Sequence, residues 1–341
     1  MSELRWDPIY GRWVVLAVNR SNRPRAFVSE SGDGDAEDCP FCEFHEDQTP
    51  RELFAIRDDD PTSPHPWRVR VVDNKYPALT LTVATAPDWL PKVTATDELR
   101  DYTSCAGVGS HEVIIESPTH VCRNSEMTAD QLRDVLAAYQ ARLNVLREDP
   151  RIRCAVIFKN VGAPAGATLE HVHSQLIALP FVPPLFAAEL QGAQRYYELH
   201  GQSVFQAMLE KERHSGQRVV SENERFVVFC PYASRTPYEM WVMARAAGSH
   251  FEAADAASLD DLASSLHDAL CRLDEVLDRP AYNYVIHSGP FDTQNLQHYH
   301  WYVEVVPRVT KIAGFEWASG CAINVVAPEV AAQRLRSVSR A

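Results

Sequence analysis

Glu170-His171-Val172-His173-Ser174-Gln175 follows a loop of small residues, N-V-G-A-P-A-G-A-T at 160–168. On a β-strand, side chains alternate between faces, so His171, His173 and Gln175 share one face while Val172 turns to the other. The loop supplies backbone amides, two glycines and a threonine hydroxyl, the make-up of a segment that wraps a phosphate closely. One face therefore offers two imidazoles, a carboxamide and an oxyanion cradle. Strand histidines can also just face water or satisfy a buried carbonyl. Behind a glycine-rich loop and ahead of Gln175, the chemical reading outweighs that bland one.

The elements around this stretch occur twice. In the first pass, 111–116 (H-E-V-I-I-E) reads as a strand ended by Ser117-Pro118. Leu132, Val135, Leu136, Tyr139, Leu143 and Leu146 then mark one face of a helix over 128–147, and Thr128-x-x-Gln131 resembles a capping box at its start. Segments 154–158 and 171–179 read as two further strands. In the second pass, 238–244 is a strand, and 258–277 is a helix with Leu259, Leu262, Leu266, Leu270, Leu273 and Val276 inward. Strands at 283–287 and 298–306 follow, the last opening H-Y-H with His298 and His300. Strand, helix, strand, loop and a strand opening H-x-H imply an internal duplication, with halves at 1–190 and 191–341. Both hairpin loops are too short for a crossover helix, so the last two strands of each half pair antiparallel. The expected fold class is α+β, one mostly antiparallel sheet with helices packed on it. Upstream, 12–18 and 67–72 read as strands, and the acidic, turn-rich 29–38 as a mobile loop.

The 341 residues leave ample length for a large core, and 45% hydrophobic with 23% charged residues is ordinary for a globular protein. No apolar run approaches a membrane span and the N-terminus is no signal peptide, so a cytoplasmic protein without a membrane partner is expected. The net charge of -13 argues against coating nucleic acid, though a local basic pocket for a phosphorylated metabolite is compatible with it. Eight cysteines are too sparse for a disulfide scaffold. Six read as isolated, buried thiols. Cys39 and Cys42 differ: C-P-F-C presents two thiolates to one ion, and no thioredoxin-like context favours a redox pair. His45, His111, His120 and His171 are the histidines considered to complete such a site.

Taken together, H-V-H-S-Q behind N-x-G-x-x-x-G, with C-P-F-C upstream and S-P-T-H between, resembles the galactose-1-phosphate uridylyltransferase family. That family is itself a duplicated, histidine-triad-like fold. The resemblance implies that His173 is the nucleophile and that Gln175 holds a phosphoryl oxygen. The family usually has proline where this chain has Glu170 and Val172; neither change removes a functional atom. Asn160, Gly166 and Thr168 match loop positions near the phosphates, Arg20 and Arg23 match a phosphate-binding pair, and Asn74 matches a nucleotide contact. Lys311 and Glu316 resemble hexose contacts at a spacing one residue short. The resemblance also implies a Cys2His2 zinc site of Cys39, Cys42, His120 and His171. It further implies a second metal, zinc or iron, on Glu189, His287, His298 and His300, or else a metal-free degenerate copy of the first site.

The implied activity is nucleotidyl transfer through a nucleotidyl-histidine. The expected partners are a nucleotide sugar with a sugar 1-phosphate or phosphate, and a second copy of the chain in a homodimer. The first reading is a UDP-glucose–hexose-1-phosphate uridylyltransferase of galactose metabolism. The tail A-G-F-E-W-A-S-G-C-A-I-N also resembles relatives of the ADP-glucose phosphorylase kind, where phosphate is the acceptor. A hydrolase is disfavoured because Gln175 stands where hydrolases of the superfamily carry a third histidine. A zinc-stabilised binding protein without catalysis is the alternative from another class.

Overall fold

The computed structural model describes residues 2–7, 9–17, 38–58, 62–83, 85, 89–91 and 103–338. In chain order these form β1 (Glu3–Asp7), β2 (Arg12–Leu16), β3 (Glu52–Ile56), β4 (Val69–Asp73), β5 (Ser104–Ala106) and β6 (Ser110–Ile115), then α1 (Ala129–Arg147), β7 (Cys154–Val161) and β8 (His173–Leu179). Helices α2 (Pro184–His200) and α3 (Val204–Ser215) precede β9 (Val219–Glu222), β10 (Phe226–Phe229) and β11 (Met240–Ala244). The chain ends with α4 (Ala256–Leu277), β12 (Tyr282–His287), β13 (Tyr302–Pro307), α5 (Gly314–Ser319) and α6 (Pro328–Arg336).

Ten strands make one sheet in the order β3-β4-β6-β8-β7-β12-β13-β11-β10-β9. Every ladder in it is antiparallel. The order reads as two copies related about the β7–β12 junction, the expected duplicated α+β fold. β1, β2 and β5 form a separate three-stranded sheet.

The two long helices lie on one face, here called the back. All six predicted apolar residues of α1 are buried there, with Leu259, Leu262, Leu266, Leu270 and Leu273 of α4. Each such side chain contributes about 1.5–3 kcal/mol by leaving water. Val276 is only partly buried. Thr128 caps α1 by accepting the Gln131 N–H, but the Gln131 amide does not return to Thr128. It donates instead to the carbonyls of Arg68 and Glu116, at 2.7 and 2.6 Å, tying α1 to the sheet. Cys321 is exposed, against the buried reading.

The front face is where the copies differ. In the second copy α2 and α3 cover it, packing Ala193, Phe205 and Leu209 on Val227, Phe229, Met243, Tyr299 and Tyr302. In the first copy it carries a small apolar floor of Trp67, Val72, Val113 and Ile115 beside Phe41. Above that floor lies a cavity of about 620 Å³. No helix among the described residues is long and apolar enough to cross a membrane.

Candidate active site

β8 begins at His173, two residues later than the sequence pattern suggested, and His171 sits in the bend before it. The shared-face expectation holds: Phe41 meets both rings edge-on, centroids 6.1 Å from His171 and 5.2 Å from His173. Val172 is buried in the back-face core. Its N–H donates to Val121 and its carbonyl accepts from Glu116, so this bend is fixed on both sides.

His173 and Gln175 are almost fully buried, yet both line the cavity with Phe41, Thr49, Asn74 and Thr168. The His173 Nδ1–H donates to the main-chain carbonyl of His171 at 2.8 Å. That bond selects the tautomer whose lone pair is on Nε2. The Gln175 Oε1 accepts from His111 Nε2–H at 2.9 Å.

The loop behind them is shaped partly by glycine. Gly162 and Gly166 adopt φ of 80° and 90°, where a side chain would be strained. Asn283, from the second copy, donates to Asn160 Oδ1 at 2.6 Å and to the Ala165 carbonyl at 2.9 Å. Thr168 reaches the cavity; Asn160 and Gly166 hold the loop without lining it. Arg20 and Arg23 lie outside the described residues. Lys311 and Glu316 are not brought to this cavity. Lys311 is exposed, and Glu316 caps α5 by accepting the Ala313 N–H.

Cys39, Cys42, His120 and His171 converge, with one ligand atom from each lying within 4.8 Å of the others. Sulfur–nitrogen separations are 3.5 Å for Cys39–His171, 3.5 Å for Cys42–His120 and 3.6 Å for Cys42–His171. A tetrahedral ion with bonds of ~2.3 Å to sulfur and ~2.1 Å to nitrogen separates such atoms by about 3.6 Å, so the geometry fits a metal. His171 Nε2–H donates to the Ser117 carbonyl at 2.8 Å, leaving Nδ1 toward the thiols. Burial, with Cys39 beside it, pushes the Cys42 thiol up to about 12. Burial holds His171 down to about 4. Both groups therefore stay neutral at pH 7 unless a cation displaces the thiol protons. The other two histidines are not ligands here. His45 Nδ1–H donates to the Cys39 carbonyl at 2.7 Å, and His111 belongs to Gln175.

The expected second metal set is not assembled. Among the described residues, no second group of His, Cys, Asp or Glu converges in this way. His287 faces Glu189 at 3.0 Å through Nδ1 and Glu304 at 3.2 Å through Nε2. Its ring is stacked between Phe186 and Tyr302, with centroids 4.9 and 4.4 Å away. Burial opposes its charge, but the two carboxylates outweigh burial and raise His287 to about 9. His298 and His300 also precede β13 rather than open it. His298 is half-buried near Tyr197, while His300 is fully buried. The physical reason is the cover: α2 brings Phe186 and Glu189 onto the face that is open in the first copy.

Sequence reading missed a charged pair behind His173. Lys159 and Glu116, both wholly buried, meet at 2.5 Å, and Lys159 also donates to the His173 carbonyl at 3.2 Å. Tyr139 links Glu116, Ser174 and Tyr284 by hydrogen bonds of 3.0, 2.7 and 2.6 Å. Burial works against the Glu116 charge, yet Lys159 and neighbouring donors hold its carboxyl below the usual range. A lysine inside the apolar run C-A-V-I-F-K was the available signal.

These features describe a duplicated, histidine-triad-like fold with a buried histidine at a cavity and a separate Cys2His2 set able to hold a metal. Residues 1–183 match the N-terminal domain of galactose-1-phosphate uridyl transferase and residues 189–341 its C-terminal domain, so the chain belongs to that family of nucleotidyltransferases. It is 35% identical to the ADP-glucose phosphorylase of Arabidopsis thaliana, over 99% of this chain and 93% of the relative. It is 24% identical to the galactose-1-phosphate uridylyltransferase of Thermotoga maritima, over 98% of each. A crystal structure of the Arabidopsis thaliana ADP-glucose phosphorylase with bound ADP-glucose superposes with TM-score 0.77 at 34% identity, covering 100% of both chains. A uridylyltransferase structure gives TM-score 0.77 at 26% identity, covering 98% of this chain and 97% of that one.

Proposed function

We propose that this enzyme cleaves ADP-glucose by adenylyl transfer to phosphate through His173. The Nε2 lone pair attacks the α-phosphorus, and the bond to the bridging oxygen breaks to release glucose 1-phosphate. The adenylyl group is then bonded to a cationic ring, a good leaving group. A phosphate oxygen attacks the same phosphorus, ADP departs, and the ring regains its lone pair. The observation that carries this reading is the His173–His171 carbonyl bond, which keeps the Nδ1 proton in place and supports the cation that forms. Gln175 and Thr168 flank the charge that develops on the phosphoryl oxygens. Zinc suits the Cys2His2 set, where it would fix His171 and with it the carbonyl that orients the nucleophile.

The similarity to the ADP-glucose phosphorylase favours the adenine nucleotide and phosphate. The second reading, UDP-glucose with galactose 1-phosphate, rests on the family description and the weaker resemblance to the Thermotoga maritima enzyme. Lys311 and Glu316 lie beside exposed Ile312, Phe315 and Trp317, an apolar patch that would suit the contact of a homodimer. Glucose 1-phosphate release from ADP-glucose with phosphate, compared with UDP-glucose and galactose 1-phosphate, tests the choice. Faster release from ADP-glucose is expected. The reverse order supports the second reading, and no release from either overturns both.

A further inference from the structure

We infer that His111 is a positioning residue that sets the polarity of Gln175, turning its amide NH2 toward the phosphoryl group. This inference rests on the transfer reading above. His111 is buried on β6, on the same sheet face as His173 and Gln175. Val113 pairs with Gln175, so His111 is its diagonal neighbour across the β6–β8 ladder, within reach of long side chains.

The ring has one allowed arrangement. The Ala78 N–H donates to His111 Nδ1 at 3.0 Å, so that nitrogen carries the lone pair. A neutral imidazole then carries its proton on Nε2. That N–H faces the Gln175 side chain at 2.9 Å, and only an oxygen can accept it. The Gln175 carbonyl oxygen is thereby turned to His111, and its NH2 is the end left to face the cavity. Reversed, the amide would present an oxygen to an anionic phosphoryl group and repel it.

Asn74 repeats the logic. Its Oδ1 accepts the Tyr76 N–H at 2.8 Å, which turns its NH2 to the other side. That NH2 lies 3.1 Å from His111 Nε2. Since Nε2 bears a proton, the two are both donors and cannot satisfy each other. The Nε2 proton already goes to Gln175, so the Asn74 NH2, on the cavity wall, is the group that can serve a phosphoryl oxygen. A backbone N–H at Ala78 thus fixes a ring tautomer, and the ring fixes which end of the Gln175 amide faces the cavity. The sequence motif H-S-Q supplies Gln175, but its polarity is set from another strand.

Two substitutions separate positioning from mere packing. Asn at 111 keeps an acceptor for the Ala78 N–H but is too short to reach Gln175. Gln at 111 keeps a donor near the Nε2 position. The rate of nucleotidyl-His173 formation from ADP-glucose is measured by rapid quench, and ADP affinity by titration calorimetry. His111→Asn is expected to slow adduct formation by about 100-fold, the scale of losing one donor to a developing oxyanion. It is also expected to weaken ADP by about tenfold, with an unchanged melting temperature, whereas His111→Gln recovers most of both. In a Gln175→Ala background, His111→Asn should cost little more, because the group it orients is gone. Equal rates and affinities in wild type and His111→Asn overturn the inference. So does a full additional loss in the Gln175→Ala background. Should the wild type form no adduct, the transfer reading falls, and ADP affinity alone decides the role of His111.

Discussion

The imidazole of His173 is bonded through Nδ1 to the main-chain oxygen of His171, the residue that joins Cys39, Cys42 and His120. One residue separates His173 from the metal set, and this bond couples them. Removing the His173 imidazole, the proposed nucleophile, while leaving the metal set intact should abolish turnover and spare the fold. His173→Asn is expected to lower the rate by about four orders of magnitude or more, with normal metal content and melting temperature. Steady-state kinetics with metal analysis checks it.

Loss of the metal should act differently, through structure first. Cys39→Ser, or chelation by a strong zinc ligand, should lower the melting temperature by about 5 °C or more and slow turnover together. Stoichiometry bears on the second copy as well: about one equivalent of tightly held metal per chain is expected. Two equivalents would contradict the placement of His287 between Glu189 and Glu304.

Lys159 and Glu116 should behave as a unit. Breaking a buried ion pair from one side leaves a bare charge, which costs about 3–5 kcal/mol. Lys159→Met alone should therefore destabilise strongly, and Lys159→Met with Glu116→Gln should regain part of that loss. Denaturant titration of the double-mutant cycle measures the coupling, and near-additive losses would deny it.

The His287 stack gives a pH dependence. Its folded value is raised to about 9, so its stabilisation is complete below the ordinary value of about 6.5 and is lost as pH rises through 9. The shift corresponds to about 3–4 kcal/mol. His287→Phe keeps the ring stack and removes the charge. The stability gap between wild type and this variant should be widest near pH 6 and should narrow toward pH 10. Urea midpoints across that range provide the measurement.

Much of this was readable in the residues because it depends on periodicity. The leucine stripes of α1 and α4, the strand before each H-x-H and the antiparallel hairpins follow from spacing alone. The metal set was readable through the family resemblance, since nothing local links Cys39 to His120. Other features depend on tertiary pairing. Lys159 finds Glu116 only when β7 and β8 lie behind the bend at Val172. His111 meets Gln175 only across the β6–β8 ladder. The second H-x-H matches the first in residue type while its surroundings differ. Helices α2 and α3 cover that face, and Glu304 stands near His287 to hold it as a cation.

Mass analysis of the peptide bearing His173, after brief incubation with ADP-glucose and without phosphate, probes the proposed covalent step. One adenylyl group on His173, removed on adding phosphate with formation of ADP, is the expected result. An unmodified peptide from an enzyme that still releases glucose 1-phosphate would contradict it.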